Sequence, residues 1–380
     1  MSTTEGRNGK LPPLVFVHGW KAAVLKDQTS GQEKFNYALS HVLGFGGDGL
    51  DLPMEWDTNG SQIRDNLIPS HPTRNVTCLC GLVTLLEIYG PLLRHLEKTR
   101  DLRLFVYDWR RELGETSHKL EAFLMEIVEK TGKKPQVIGH SMGCLITLHV
   151  LNRSPQIFHS VLFGAAALGP SIRLCKDFSL IGGVNRVGLN DAIFTPSQHL
   201  SSPAPWHFLP HQGDSDLWDP SNGAQFLSFD DKDNKKQSTE LNLHVVQTWK
   251  RYQMGMYHPK SGVTVTPDKE AWLQSVLDRA LRFRKELIPK FDASKYPRVA
   301  CLNSAGFPTE KSFVMNATDS SIDYNSPIMG TGDGSVLLSN SLPPRGIPVV
   351  QTITNKLEHS QVLNDLKAVD QLLHVLLSEI

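Results

Sequence analysis

The chain has 380 residues, 40% hydrophobic and 21% charged, with 39 Lys and Arg balanced by 39 Asp and Glu. So many apolar residues exclude a disordered chain, and 29 Gly and 23 Pro without a period exclude a collagen-like one. Zero net charge argues against nucleic acid as the main partner, because neutralising phosphates needs surplus Lys and Arg, and it removes electrostatic attraction as the driver of membrane contact.

The opening residues, MSTTEGRNGKLPP, are polar and lack the charged-then-apolar pattern of a signal peptide. They lead into Leu14–Val17, a short apolar run that predicts a buried strand, followed by His18-Gly19-Trp20. Gly81 to Lys98 alternates apolar and polar residues helically, interrupted at Gly90-Pro91, and is expected to pack on a sheet rather than lie on lipid. Leu102–Tyr107 predicts a second strand, followed by Asp108-Trp109-Arg110. Leu120, Phe123, Leu124, Ile127 and Val128 fall on one face of a helix over 116–131, capped by Thr116 or Ser117 and closed by Gly132. After Pro135, Val137-Ile138 is again strand, Cys144–Leu151 helix and Ser160–Ala166 strand.

This alternation is the pattern of a mostly parallel sheet with helices on both faces. From Gly169-Pro170 to Pro297 the texture turns to Pro, Ser, Trp and Asp, with helices expected near 241–252 and at 267–286. A segment of this length between core strands is expected to be an inserted cap or lid. The organisation is therefore a core over 11–169, a cap over 170–297 and the rest of the core over 298–380. Within that last part, Arg298–Leu302, Ser312–Met315 and Ile347–Ile353 read as strands and Ser360–Leu377 as a closing helix.

Five cysteines form no paired metal-ligand spacing, which points to a reducing compartment. No apolar run approaches the ~18 residues of a spanning helix. The expected setting is cytoplasmic, at most peripheral to membranes. The N-x-S/T triplets at Asn59, Asn75 and Asn316 then arise by chance.

Gly139-His140-Ser141-Met142-Gly143 is the G-x-S-x-G pattern of a nucleophile elbow, with a strand before it and a helix after it. The turn is so tight that a Cβ at either glycine position would clash. A serine hydroxyl needs a base, and the base an orienting carboxylate; on this pattern they follow in the order Ser, Asp or Glu, His. His359, in a polar loop after the last strand, is a better base than His374, which sits on the final helix. Asp333, framed by Gly332 and Gly334 at a strand end, is preferred to Asp319 and Asp323, although an Asp-Gly turn is also a common structural unit. The backbone N–H of Met142 is one expected oxyanion donor; the N–H of Trp20 is the other, unless Trp20 only packs beneath the cap.

At these residues the chain resembles the lecithin:cholesterol acyltransferase family, which includes lysosomal phospholipase A2 and the phospholipid:diacylglycerol acyltransferases. The resemblance is carried by Tyr107-Asp108-Trp109-Arg110, the stretches 132–145, 201–210 and 299–313, Gly332–Val336 and Glu358-His359, in the family's order. His18-Gly19 departs from the Pro-Gly of better-known members. The resemblance implies an α/β-hydrolase fold and an acyl-enzyme on Ser141, with Asp333 and His359 completing the triad and Trp20 and Met142 supplying the oxyanion hole. The implied substrate is a phospholipid or other lipid ester, whose acyl group passes to an alcohol or sterol, or to water as in a phospholipase. A non-catalytic lipid-binding protein of the same fold and a carboxylesterase of small esters stand as alternatives. No metal or cofactor is required by this chemistry.

Trp109, Trp206 and Phe208 are the candidate substrate-contacting side chains. Trp206, Phe208 and Trp218 would line an acyl channel or else form a small core within the cap; Arg110 is expected to pair with a carboxylate. His199, His207 and His211 lie at spacings too irregular for a metal site.

Overall fold

The computed structural model describes residues 11–36, 49–78, 83–171, 195–210, 227–230, 242–259, 261–316 and 322–377. Six strands make the central sheet: β1 (Leu14–Val17), β2 (Leu102–Phe105), β3 (Gln136–His140), β4 (Ser160–Gly164), β5 (Arg298–Ser304) and β6 (Val349–Asn355). All pairings are parallel, in the order β6-β5-β4-β3-β1-β2. β1, β3 and β4 are buried at every residue, as strands covered on both faces must be. The chain steps from β1 outward to β2, then returns past β1 to β3 and onward to β6. The strand order therefore reverses at β1 and β3, and a crevice opens at their carboxyl ends.

Helices α1 (Gly90–Thr99), α2 (Leu113–Thr131), α3 (Met142–Leu151), α4 (Pro267–Glu286) and α5 (Leu366–Val375) complete the regular framework. α1 packs with α5 and α2 with α3; right-handed crossovers put the two pairs on opposite faces of the sheet. α3 is buried at every residue, Thr147 and His149 included.

Several boundaries differ from expectation for identifiable reasons. The expected second strand stops at Phe105, because the Tyr107 N–H leaves the sheet to meet His18 Nε2 at 3.2 Å. α2 begins three residues early because Glu112 is its cap, accepting the Glu115 N–H at 2.7 Å, while Thr116 and Ser117 bond back to carbonyls four residues earlier. The stretch expected to be helical from Gly81 is a strand at Val83–Glu87, antiparallel to Asn75–Cys78, and Gly90-Pro91 starts α1 instead of interrupting it. The closing helix is broken: a 3-10 turn at His359–Asn364 ends where Asp365 caps α5 through the Ala368 N–H. Ser312–Met315 belongs to Phe307–Asn316, which pairs with Ile322–Gly332 and Leu227–Asp230 in a side sheet, not in the core.

Between β4 and its neighbour β5 runs a segment of more than a hundred residues. Its described parts include a helix at Pro196–Ser201, a 3-10 turn at Ala204–Phe208, a helix at Val246–Arg251, and α4. α4 begins and ends as the sequence predicts, with Thr266 accepting the Lys269 N–H and Pro267 in the first turn. It is tied inward by Trp272 Nε1 to the Leu200 carbonyl at 2.9 Å and by the buried Arg284 to the Leu168 carbonyl at 3.1 Å. Replacing Thr266 with Ala is expected to lower stability by about 1 kcal/mol, read as a lower urea midpoint; an unchanged midpoint would mean that packing alone holds this helix end.

Candidate active site

Ser141 lies between β3 and α3 with φ 51° and ψ −119°, a conformation that L-residues seldom adopt. The neighbouring glycines permit it. A Cβ on Gly139 would sit 3.0 Å from Cys144 Cα, and one on Gly143 would sit 2.4 Å from the Val17 carbonyl oxygen. The Ser141 N–H donates to the Gly164 carbonyl at 3.1 Å, and its own carbonyl accepts the Cys144 N–H at 3.0 Å. The turn is thereby held, and the side chain faces the crevice between β1 and β3.

His359 follows β6 and meets Ser141 across the crevice, its Nε2 2.9 Å from Ser141 Oγ. Its Nδ1 lies 2.7 Å from Asp333 Oδ2. Asp333 stands just beyond the Ile322–Gly332 strand, where its other oxygen accepts the Ser335 and Val336 N–H groups at 2.9 and 2.7 Å. The Asp-Gly turn thus orients the carboxylate with one oxygen and leaves the other for histidine. Burial pulls the Asp333 carboxyl up, but the charge and hydrogen bond of His359 and the two N–H groups outweigh it and leave the pKa below the ordinary value. His359 therefore carries its proton on Nδ1 and presents Nε2 as acceptor to the Ser141 hydroxyl. Of the rivals, His374 is exposed on α5, Asp323 lies within a strand opposite Val314, and Asp319 lies outside the described residues.

Met142 is the first residue of α3, so its N–H has no carbonyl of its own helix to meet. Trp20 lines the same cavity as Ser141. The turn that carries it is anchored by His18. His18 Nδ1 donates to the Gly19 carbonyl at 2.8 Å, and its Nε2 accepts the Tyr107 N–H. Because C=O and N–H point oppositely across a trans peptide, fixing the Gly19 carbonyl also fixes the direction of the Trp20 N–H. Burial brings the pKa of His18 down to about 4, so the ring stays neutral and keeps this arrangement.

The cavity at Ser141 has a volume of about 390 Å³. Trp20, Ala22, Val76, Leu86 and Ile88 supply apolar wall, and Ser335, Glu358 and Gln361 a polar one. The three aromatic residues expected to contact substrate are not among its lining. Trp109 is fully buried, packs against Phe35 and donates its Nε1–H to the Ala23 carbonyl at 3.0 Å. Trp206 packs edge-on against Trp249 and donates to the His199 carbonyl, and Phe208 is buried in the same 3-10 turn. These two build the interior of the segment between β4 and β5; Trp218 lies outside the described residues.

Arg110 does pair with a carboxylate, and with two: Asp108, two residues before it, and Asp65, brought in from a distant loop. His199 and His207 are buried, His207 with Glu112 at 3.7 Å, and His211 lies outside the described residues; among the described residues no group of three His, Cys, Asp or Glu could hold a metal ion. The buried polar pair Tyr89 and His140, which touches this site from below, was not singled out from the sequence. A lone tyrosine before a helix and a histidine before the serine carry no spacing that links them.

The sequence matches the lecithin:cholesterol acyltransferase family over residues 86–340, more than half of the chain. A phosphatidylcholine-sterol acyltransferase of Rattus norvegicus is 30% identical over 118 residues, covering 29% of this chain and 27% of the relative. That of Papio anubis is 30% identical over 115 residues, covering 28% and 26%. The chain thus spans little more than a quarter of the length of these relatives. The crystal structure of a Tle4-Tli4 complex superposes with a TM-score of 0.56 at 13% identity, over 97% of this chain and 99% of that one. At that identity the likeness concerns the fold alone, which is the α/β-hydrolase fold.

His18, His140 and His199 are buried, and burial brings their pKa values down to about 4, 3 and 3. The unfolded chain would protonate them near the ordinary value of about 6.5, so unfolding takes up protons below that pH. Their contribution is fully present above about pH 6.5 and is lost as the pH falls toward about 4. The urea midpoint is expected to drop steeply between about pH 7.5 and pH 5, with these three rings together taking up about three protons on unfolding at the lower pH; a flat midpoint would contradict burial of neutral rings. Trp109→Phe is expected to cost about 1–2 kcal/mol of stability, through the Ala23 carbonyl left without its donor, while kcat/KM stays unchanged. A fall in kcat/KM at full stability would restore Trp109 to the substrate site.

Proposed function

The chain belongs to the lecithin:cholesterol acyltransferase family, and from that premise we propose that it is an enzyme of lipid esters that moves a fatty acyl group from a phospholipid to an alcohol or sterol through an acyl-enzyme on Ser141. The observation that carries the proposal is the hydrogen-bonded line Asp333–His359–Ser141, at 2.7 and 2.9 Å, opening into a partly apolar cavity.

In this mechanism the Ser141 Oγ attacks the ester carbonyl while His359 Nε2 takes the hydroxyl proton. Asp333 holds the ring with Nδ1 protonated and stabilises the imidazolium as it forms. Negative charge growing on the carbonyl oxygen is met by the N–H groups of Met142 and Trp20. Collapse of the tetrahedral intermediate breaks the bond to the lysolipid oxygen, which receives the proton from His359. An acceptor alcohol then enters, gives its proton to the same nitrogen and attacks the acyl carbonyl; the bond to Ser141 Oγ breaks, and His359 returns the proton to that oxygen, which regenerates Ser141. The acyl chain lies along Trp20, Ala22, Val76, Leu86 and Ile88, and the segment over 170–297 acts as a cap that limits the entry of water.

A phospholipase is the second reading. The His359 side chain keeps 15% of its surface exposed, and Glu358 and Gln361 make a polar wall beside it, so water has a route to the base. Both readings use the same nucleophile, base and oxyanion donors. The intact line of Ser141, His359 and Asp333 weighs against a lipid-binding protein without activity. No helix among the described residues is long and apolar enough to cross a membrane, and contact with the lipid surface is read as peripheral. The buried thiols Cys144 and Cys301 are free, which suits the reducing, cytoplasmic setting that belongs to the same reading.

The test supplies purified protein with phosphatidylcholine labelled in its acyl chain, with and without a long-chain alcohol or sterol. A labelled ester of the added acceptor is expected, and Ser141→Ala should lower its formation by about a thousandfold or more. Free fatty acid alone, whatever the acceptor, would replace the transferase reading with the phospholipase one. Turnover that survives Ser141→Ala would overturn both.

A further inference from the structure

Beneath the site lies a set of buried polar groups that the acyl-transfer steps do not use. The Tyr89 hydroxyl accepts the Gly19 N–H at 3.0 Å and lies 2.7 Å from His140 Nδ1. His140 Nε2 lies 3.1 Å from the main-chain carbonyl of His359. Tyr89 is 1% exposed and His140 4%, so both rings are nearly closed to solvent although they border the Ser141 cavity. The chemistry of the end groups assigns each proton along this path. A backbone N–H only donates, so the tyrosine oxygen accepts from Gly19 and turns its own proton to His140 Nδ1. A carbonyl only accepts, so His140 carries its hydrogen on Nε2. The ring is held neutral, since burial, with the nearby His359 ring adding to it, takes its pKa down to about 3.

The three anchored segments are those whose relative placement the chemistry depends on. Gly19 begins the turn that carries the Trp20 N–H. His140 immediately precedes Ser141. The His359 main chain is gripped on both sides, its N–H by the Asp333 carbonyl at 2.9 Å and its carbonyl by His140. The same 3-10 turn is fastened once more where Asn364 Nδ2 donates to the Ile88 carbonyl at 3.0 Å, one residue before Tyr89. Tyr89 itself is steadied by packing edge-on against Phe16 of β1 at 4.9 Å.

We propose that Tyr89 and His140 form a proton-ordered relay that sets the spacing between the oxyanion turn and the histidine base, and so act as positioning residues for acyl transfer. The proposal rests on the serine-esterase reading given above for its effect on rate, while the relay itself is a statement about bonding. Neither residue touches the reacting atoms. Their effect arises because oxyanion donors and base contribute fully only when both are held in place before substrate arrives.

The test has two arms, both on the full chain. In the first, Tyr89→Phe keeps the ring and removes the hydroxyl; active sites are counted with a serine-directed fluorophosphonate and turnover is measured on a soluble ester. Per labelled site, kcat is expected to fall about tenfold with KM changed less than about twofold. A purely structural tyrosine would lower the melting temperature and the number of labelled sites but leave kcat per site unchanged, and that result overturns the positioning role. In the second arm, nitrogen-15 histidine spectra of the wild-type protein are recorded between about pH 5 and 8. His140 is expected to remain the neutral Nε2–H tautomer throughout, and Tyr89→Phe to shift its Nδ1 resonance. A ring that titrates in this range, or that carries its proton on Nδ1, overturns the relay. Failure of the wild-type protein to take the fluorophosphonate would sink the serine-esterase reading instead, and the spectra would still decide the relay.

Discussion

The backbone of one residue constrains most of this architecture. Ser141 at φ 51° and ψ −119° sits in a conformation whose cost is on the order of 1–3 kcal/mol, and such a conformation persists only where its surroundings over-determine it. Here they do. β3 before it and α3 after it are buried at every residue, and Gly143 brings the start of α3 against the Val17 and His18 carbonyls at the end of β1. That close approach joins the two strands at which the sheet order reverses. It also exposes the serine hydroxyl in the crevice between them and leaves the Met142 N–H at the free start of a helix.

Around this turn two histidine rings are held neutral beside one charged carboxylate. His18 and His140 are both kept neutral by burial, and each has its tautomer fixed by partners that can only donate or only accept. Asp333 is the nearby group held in its charged form, by the histidine ring and two backbone N–H groups. A developing imidazolium on His359 therefore faces the Asp333 carboxylate without a cationic His18 or His140 ring to compete with it. The ion cluster of Arg110 with Asp108 and Asp65 lies elsewhere, buried beneath the start of α2. Its guanidinium is raised in pKa because those two carboxylates outweigh the burial, and the Arg110 carbonyl holds the Ala204 N–H of the 3-10 turn Ala204–Phe208 at 3.1 Å.

The parts legible in the sequence were those governed by local rules. The buried strands announce themselves as apolar runs, α4 by its Thr-Pro-Asp entry, and the elbow by glycines that no other residue can replace. The order Ser, Asp, His then selected Asp333 and His359, and the geometry joins them. The rest depended on partners remote in the chain. The start of α2 is set by the Glu112 side chain, which no pattern favoured over Thr116 or Ser117. The strand Val83–Glu87 needs its partner at Asn75–Cys78 to be extended, and its own alternation looks helical. Asp65 reaches Arg110 across some forty-five residues of sequence. Trp109, Trp206 and Phe208 carry no local signal that separates substrate contact from packing; in the fold all three are buried and the two indoles donate to carbonyls. Tyr89 and His140 belong to one site through three segments that span nearly the whole chain.

The central claim is that the line of Asp333, His359 and Ser141 makes this serine a nucleophile toward lipid esters. The most direct measurement is mass spectrometry of the protein quenched during turnover of phosphatidylcholine, followed by peptide mapping. The account predicts one acyl group per chain, on the peptide containing Ser141 and absent from Ser141→Ala. An acyl group mapped to another residue, or none at any quench time while product accumulates, would contradict it.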